Sequence, residues 1–397
     1  MTYPQVNLGS VVDLQAGIGF PTRLQGKTSG KFPFAKVGDI SRNGRTGKPI
    51  LSTVDNYIDQ TDVESLRAKI IPEGSILFAK IGEAIRQNHR VISHRSLLID
   101  NNAMAAIPSE KIDNLYLYYF LKQVDFYRLA PATTVPALRK SDLEKIKIPL
   151  PPLAEQRRIA SILDQADDLR QKRQQAIEKL DQLLQATFID MFGDPVSNPK
   201  GWEIGSLNNY GSYKNGLNFG KGESGNQVLY IGVGDFKQLS KIDDVSKLST
   251  IDLDELPSVD YFIKNGDLLF VRSNGNKELV GRCIAVYPNE KLVTYSGFCI
   301  RYRIEKSELT SSYLVHLFRS KSFKQTIFDG GQGANIQNIN QQLLSRLQIP
   351  IPPKDLQEKW SNIVLKIEDQ KLKFDQHLKM QNQLFASLQN QAFNGTL

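Results

Sequence analysis

Ile148-Pro149-Leu150-Pro151-Pro152-Leu153-Ala154-Glu155-Gln156 decides how this chain is read, because Ile349-Pro350-Ile351-Pro352-Pro353 repeats its opening at an offset of 349 − 148 = 201. The register then holds without a gap: Gln156 falls on Gln357, Ile162 on Ile363, Asp168 on Asp369, Lys172 on Lys373, Leu183 on Leu384 and Phe192 on Phe393. A repeat on this scale makes the chain two half-molecules. Tandem prolines forbid helix before Leu153, whereas a proline at the start and Glu155 in the first turn suit a helix N-terminus. Ile159, Ile162, Ala166, Leu169, Arg173, Ala176, Leu180 and Leu183 step by three and four, which reads as a coiled-coil seam broken only at Arg173. The second copy gives Trp360, Ile363, Ile367, Phe374, Leu378, Leu384 and Leu388, with polar breaks at Gln370 and Gln381. Gly193 before Pro195, and Asn394-Gly395, mark the two ends. Two such seams in one chain most simply pair with each other, antiparallel.

Working outward, each helix follows a globular stretch with matching parts. Phe34-Ala35-Lys36-Val37-Gly38-Asp39-Ile40 aligns with Tyr230-Ile231-Gly232-Val233-Gly234-Asp235-Phe236, each predicting a short strand that runs into a turn. Gly74 to Lys80 and Gly266 to Arg272 are equivalent buried strands that end on a cation and enter a polar loop. Helices capped by Asp113 and by Ser311 or Ser312 carry Tyr116, Phe120 and Leu121 in one half and Tyr313, Leu317 and Phe318 in the other. The expected fold is α/β (α+β) in two pseudo-symmetric globules, residues 1–147 and 195–348, followed by long helices over 148–194 and 349–397.

Composition bounds the function. Hydrophobic residues at 40% and charged residues at 23% are ordinary for a soluble globular protein. No run approaches a membrane-spanning length, and the N-terminus lacks a signal-peptide pattern, so a cytoplasmic location is expected. Cys283 and Cys299 are the only cysteines, too few for a disulfide framework or a zinc site, and the four histidines form no ligand motif. A net charge of +8 permits a polyanionic partner. Phosphate-loop and adenine-methyltransferase motifs are missing, so no catalytic residue and no metal site is assigned. Asp167-Asp168 and Asp243-Asp244 read as solvated surface.

What remains is a set of polar loops that differ between the halves. Arg86, Gln87, Asn88, His89 and Arg90 supply cations, amides and an imidazole able to contact phosphates and base edges. Thr133 and Thr134, ahead of Arg139-Lys140, offer similar chemistry, as do Gln332, Asn335 and Gln337 in the second half.

Equivalent frameworks with unlike loops, each closed by Ile-Pro-x-Pro-Pro and a long helix, resemble the specificity subunits of Type I restriction-modification systems. The resemblance covers essentially the whole chain. Its most specific marks are Ile148 to Ile159 and Asn198-Pro199-Lys200-Gly201-Trp202, the latter a typical opening of the second recognition domain. The distal Lys354-Asp355-Leu356-Gln357-Glu358-Lys359-Trp360 departs from the pattern.

The resemblance implies a non-catalytic DNA reader whose two target recognition domains each read one half of a bipartite site in double-stranded DNA. In it the helices set the spacer and dock two methyltransferase (modification) subunits. S-adenosylmethionine, ATP and Mg2+ would then belong to partner subunits, including restriction/translocase subunits, and none to this chain. Matching positions add Lys80, Arg272, Ser273, Asn274, Asn276 and Lys277 to the expected DNA contacts. The alternatives are a self-contained DNA modification or restriction enzyme, and a coiled-coil scaffold without DNA binding.

Overall fold

The computed structural model describes residues 3–131, 134–220, 222–236, 240–329 and 338–397, and the chain divides into two compact units. Unit 1 joins the residues up to Ala176 with Phe374–Leu397, and unit 2 is Ile177–Lys373.

Unit 1 runs through β1 (Gln5–Asn7), β2 (Val12–Ala16), β3 (Phe32–Ala35), α1 (Val37–Arg45), β4 (Ile50–Leu51), β5 (Asn56–Ile58), α2 (Gln60–Ser65), β6 (Ile76–Ala79), β7 (Val91–Ser93), β8 (Leu98–Ile99) and β9 (Ala103–Pro108). Then come α3 (Asn114–Gln123), α4 (Phe126–Leu129), α5 (Lys140–Glu144), β10 (Lys147–Pro149) and the first part of α6 (Leu153–Phe192). Unit 2 takes the rest of α6, then β11 (Glu203–Ser206), β12 (Gly211–Asn215), β13 (Asn226–Ile231), β14 (Lys241–Ile242), β15 (Ser249–Leu253), β16 (Asp267–Val271), β17 (Cys283–Val286), β18 (Val293–Tyr295) and β19 (Cys299–Ile304). It closes with α7 (Ser311–Arg319), α8 (Lys321–Asp329), α9 (Gln341–Ser345), β20 (Gln348–Ile351) and the first part of α10 (Lys354–Asn394).

The strands pair in the same order in both units. Unit 1 has sheets β2-β9-β6-β7-β4, β5-β3-β8 and β1-β10, and unit 2 has β12-β19-β16-β17-β14, β15-β13-β18 and β11-β20. Even the parallel pairs coincide: β3 with β8 and β4 with β7 match β13 with β18 and β14 with β17. The central strand explains the layering. Ile76 and Phe78 of β6 enter the core that contains the long helices, while Leu77 enters a second core behind the sheet. Leu268 and Phe270 of β16 do the same on one side, with Leu269 and Val271 on the other. Such a strand is buried on both faces because alternate side chains point in opposite directions.

Each long helix is fixed to its globule by one buried glutamine. Gln156 accepts the backbone N–H of Asp113 at 2.8 Å and donates to the carbonyls of Lys111 (3.1 Å) and Pro151 (2.8 Å). Gln357 accepts the N–H of Thr310 at 2.9 Å and donates to the carbonyls of Glu308 and Pro352, both at 2.8 Å. Beside them Tyr116 donates to the Pro149 carbonyl and Tyr313 to that of Pro350, each at 2.9 Å. A buried backbone carbonyl needs a donor, and these tyrosines supply one to each of the two prolines.

Within unit 1 the helices run antiparallel, since Arg158 donates to the Leu397 carbonyl at 2.9 Å and Arg170 to Asn382 at 2.7 Å. Unit 2 shows the same sense, with Lys371 paired to Asp181 at 2.5 Å and Phe188 and Phe192 edge-on to Trp360. The seam differs from the expected one. Ile159, Leu163, Asp167, Ile177, Leu184, Phe188 and Phe192 are buried, whereas Leu169 is 56% and Leu183 51% exposed. The inward face lies about one residue away from the apolar stripe, because its middle positions hold an ion-pair network. Asp167, expected on the surface, is 3% exposed and accepts from Lys122 at 2.9 Å and Arg170 at 2.7 Å. Asp168 is exposed and pairs with Lys172.

Two further expectations change. The Gly-Asp after β3 does not end in a simple turn: Asp39 accepts the N–H of Lys36 at 2.8 Å and opens α1, while Asp235 accepts that of Gly232 at 2.8 Å and opens a 3-10 turn. Asp113 caps α3 as expected, accepting from Leu115 and Tyr116, but α7 is capped by Thr310, whose hydroxyl accepts from Tyr313 at 3.2 Å. Ser311 instead donates to the Gly266 carbonyl.

Candidate nucleic-acid interface

The loops singled out in the sequence meet at the end of the central strand in each unit. After β6, the Lys80 carbonyl accepts the N–H of Leu138 at 2.9 Å, Ile81 forms an antiparallel bridge to Ala137, and Gly82 donates to the Pro136 carbonyl at 2.8 Å. After β16, the Arg272 carbonyl accepts the N–H of Ile339 at 2.8 Å and Ser273 bridges Asn338. The post-strand loop and the later loop are therefore hydrogen-bonded neighbours in both units, although the sequence presents them as distant stretches.

In unit 1 the Lys80 loop turns at Gly82, whose φ of 84° is the left-handed region open to glycine, and is anchored by buried Ile85. Arg86 and Gln87 are exposed. Arg86 is nevertheless oriented: it pairs with Glu83 at 2.7 Å, donates to the Tyr127 hydroxyl at 2.6 Å and lies 4.3 Å from that ring's centroid. Thr134 and Arg139 are exposed, and Lys140 reaches Asp13 at 3.3 Å.

The next three residues face inward to different degrees. Asn88, with a φ of 53°, donates to the carbonyls of Lys122 and Val124 and so ties the loop to the end of α3. His89 is half-buried, and burial, followed by the nearby cations Arg45, Arg90 and Lys122, lowers its pKa. Arg90, expected as a DNA contact, is 4% exposed and packs 3.7 Å from the Phe126 centroid while donating to Asn88 and the His89 carbonyl. Burial lowers its pKa to about 9, so it stays charged at neutral pH. Arg90 is a packing cation held between rings, not a free surface group.

In unit 2 Arg272 is half-buried, and its guanidinium lies 3.5 Å from the Gly297 carbonyl. Asn274 and Asn276 use their side chains to accept the N–H groups of Asn276 (2.8 Å) and Glu278 (3.0 Å), successive Asx turns that shape the loop. Thr133, Gln332, Asn335, Gln337 and the Lys277 side chain lie outside the described residues.

One component was missed in the sequence. The turn before the last strand of each large sheet, Asp100 to Asn102 and Ser296 to Phe298, lies against the same strand end: Lys80 donates its N–H to the Asn102 carbonyl and Arg272 to the Phe298 carbonyl, both at 2.7 Å. The matched Gly17 and Gly216 were the available signal. A Cβ at Gly17 would sit 2.0 Å from the Asp100 carbonyl oxygen, and one at Gly216 2.1 Å from that of Ser296. Only glycine permits this backbone approach.

Among the described residues no helix is long and apolar enough to cross a membrane, and no group of three or more His, Cys, Asp or Glu residues is placed to hold a metal ion.

Comparison with known proteins gives a consistent result. The chain is 26% identical over 268 residues to the Type I restriction enzyme StySPI specificity subunit of Salmonella potsdam, covering 62% of this chain and 56% of that one. It is 25% identical over 210 residues to the EcoKI specificity subunit of Escherichia coli (strain K12), covering 50% and 44%. The chain thus spans about half the length of these curated relatives. In fold it is similar to the S subunit of a Type I restriction-modification system from M. genitalium, with a TM-score of 0.57 at 16% identity over 99% of this chain and 96% of that one. A chain from a structural study of type I R-M complex assembly gives 0.58 at 17%, covering 100% and 98%. The sequence model of the Type I restriction modification DNA specificity domain matches residues 2–179 and again 199–381, one match for each repeat of the framework. With both repeats matched, the chain belongs to the Type I restriction-modification DNA specificity family.

Proposed function

We propose that this chain is the sequence-reading, non-catalytic subunit of a Type I restriction-modification complex, with each unit reading one half of a bipartite site in double-stranded DNA. The observation that carries this is the repetition of one strand order in two units whose loops differ at the same strand end. A fixed scaffold with variable edges suits base readout, where positioning and discrimination fall to different groups. Tethering two readers also raises the effective concentration of the second once the first is bound.

On this reading Arg86, Gln87, Thr134, Arg139, Lys140, Arg272, Ser273, Asn274 and Asn276 face DNA, joined by Thr133, Lys277, Gln332, Asn335 and Gln337. Lys80 sits at the base of its loop, and Asn88, His89 and Arg90 hold that loop's shape. The paired helices set the spacer and dock two adenine-methyltransferase subunits, which would bring S-adenosylmethionine. ATP and Mg2+ would belong to added restriction/translocase subunits. The location follows the DNA, in the cytoplasm.

The test is to map methylated adenines in DNA exposed to the purified chain with its methyltransferase partner. A bipartite site that appears only when both are present supports the proposal. Methylation by this chain alone, or methylation without sequence preference, overturns it.

A further inference from the structure

Resting on that reading, we infer that Phe298 is a specificity-determining residue that reads a thymine through apolar contact with its methyl group, and that Asn102 occupies the matching position in unit 1. The two turns share the same closing and bracing bonds. Cys299 donates its N–H to the Ser296 carbonyl at 2.8 Å, and Ala103 to that of Asp100 at 3.0 Å. Gly216 and Leu217 brace the first turn from the other side, bonding to Cys299 (3.1 Å) and Tyr295 (2.9 Å). Gly17 and Ile18 brace the second, bonding to Ala103 (3.2 Å) and Ile99 (3.0 Å). The strand-end cation closes the third side through its N–H. A backbone held from three directions presents its outermost side chain at a fixed place.

That side chain is Asn102 in one unit and Phe298, 62% exposed, in the other. The turn forms equally with asparagine, so the ring is not there to stabilise it. Leaving a phenyl ring in water forgoes the burial that would normally stabilise the chain. The surroundings indicate the occupant: Arg272 lies behind the turn with its guanidinium at the Gly297 carbonyl, and the Asn274–Asn276 loop leaves the same strand end. A cation for phosphate, amides for base edges and an exposed apolar group match what a major groove offers, where the thymine methyl is the apolar feature. Asn102 would supply hydrogen bonds, with adenine the base best matched to a side-chain amide.

The experiment uses the full chain assembled with its methyltransferase partner and a DNA library randomised around the mapped site. Phe298→Ala should lower discrimination at one base pair of the half-site read by unit 2 by about 5- to 10-fold, leaving the other half-site and the spacer unchanged. Phe298→Leu should retain most of the preference. Replacing the thymine at that position by deoxyuracil should weaken the parent complex and leave Phe298→Ala indifferent. Because the ring is exposed, both variants should unfold at the parent temperature. Unchanged discrimination in Phe298→Ala, or a uniform loss of affinity at every sequence, overturns the inference while the functional reading stands. A parent complex that methylates no defined site overturns both.

Discussion

Gln156 accepts the backbone N–H of Asp113 at 2.8 Å, so one side chain in the first turn of the first long helix holds the residue that caps α3. The same amide donates to two carbonyls, and Gln357 repeats the arrangement in unit 2. Gln156→Ala would leave one buried donor and two acceptors without a partner, at a cost of about 2–3 kcal/mol. Gln357→Ala should lose a similar amount. Chemical denaturation of each variant measures this, and a change within experimental error would show that water replaces the amide at no cost.

Arg86 and Arg90 lie in one loop but should respond differently. Arg86→Ala should weaken DNA binding by the assembled complex and reduce the slope of log affinity against log salt by about 1, without lowering stability. Arg90→Ala should cost about 2–4 kcal/mol of folding stability by emptying the space between Phe126 and Phe78. Salt titrations and unfolding curves separate the two, and a stable Arg90→Ala protein with reduced DNA affinity would reverse the assignment.

Buried Asp167 sits between Lys122 and Arg170, and removing it would leave two half-buried cations without their shared carboxylate. Asp167→Ala should therefore destabilise the chain by about 3 kcal/mol. Asp168→Ala, on the exposed side, should change stability by less than about 0.5 kcal/mol. Equal effects would mean that Asp167 is solvated after all.

His316 gives a pH signature. Burial, opposed by its bond to the Ser312 carbonyl and aided by Arg319 and Lys371, lowers its pKa from 6.5 to about 4. A depressed folded-state pKa favours the neutral form, so this contribution is complete above pH 6.5 and is lost as pH falls toward 4. The loss reaches about 3 kcal/mol. His316→Phe should flatten the stability–pH curve across that window relative to the parent, and parallel curves would refute the assignment.

The proposed ruler role has a direct test. Inserting four residues into α6 after Ala176, with a matching insertion in α10 before Phe374, falls at the boundaries of the two compact units and keeps the helices paired. At 1.5 Å per residue this should lengthen the preferred spacer by about two base pairs. Methylation mapping reports the spacer, and an unchanged one would place the ruler elsewhere.

The repeat made the architecture legible, because Ile-Pro-x-Pro-Pro with its helix recurs in strict register and the strand ends recur with it. The seam was misjudged for a definite reason: its central inward positions are Asp167 and Arg170, whose neutralisation by Lys122 and each other is invisible to a pattern of apolar residues. Thr310 was missed as a cap because two serines follow it and either hydroxyl could have served. At the candidate interface, Arg86 to Arg90 were singled out by residue type, and Lys80 and the loop after Arg272 by matching family positions. Which residues of the first loop point inward depends on Val124 and Phe126, 36 residues on from Asn88 and Arg90. Phe298 escaped notice because an apolar residue beside a strand reads as core until its exposure is known.

Phe385, Ala392 and Phe393 belong to the same core as Leu8, Ile76 and Tyr116. Unit 1 thus draws its closing layer from the far end of the chain. During synthesis it would wait, its apolar face open, until those last residues emerge, while unit 2 draws only on residues up to Lys373 and can close sooner. Loss of the last twenty or so residues would open the core of the unit encoded first, so under the proposed function a truncated product would lose the half-site assigned to unit 1.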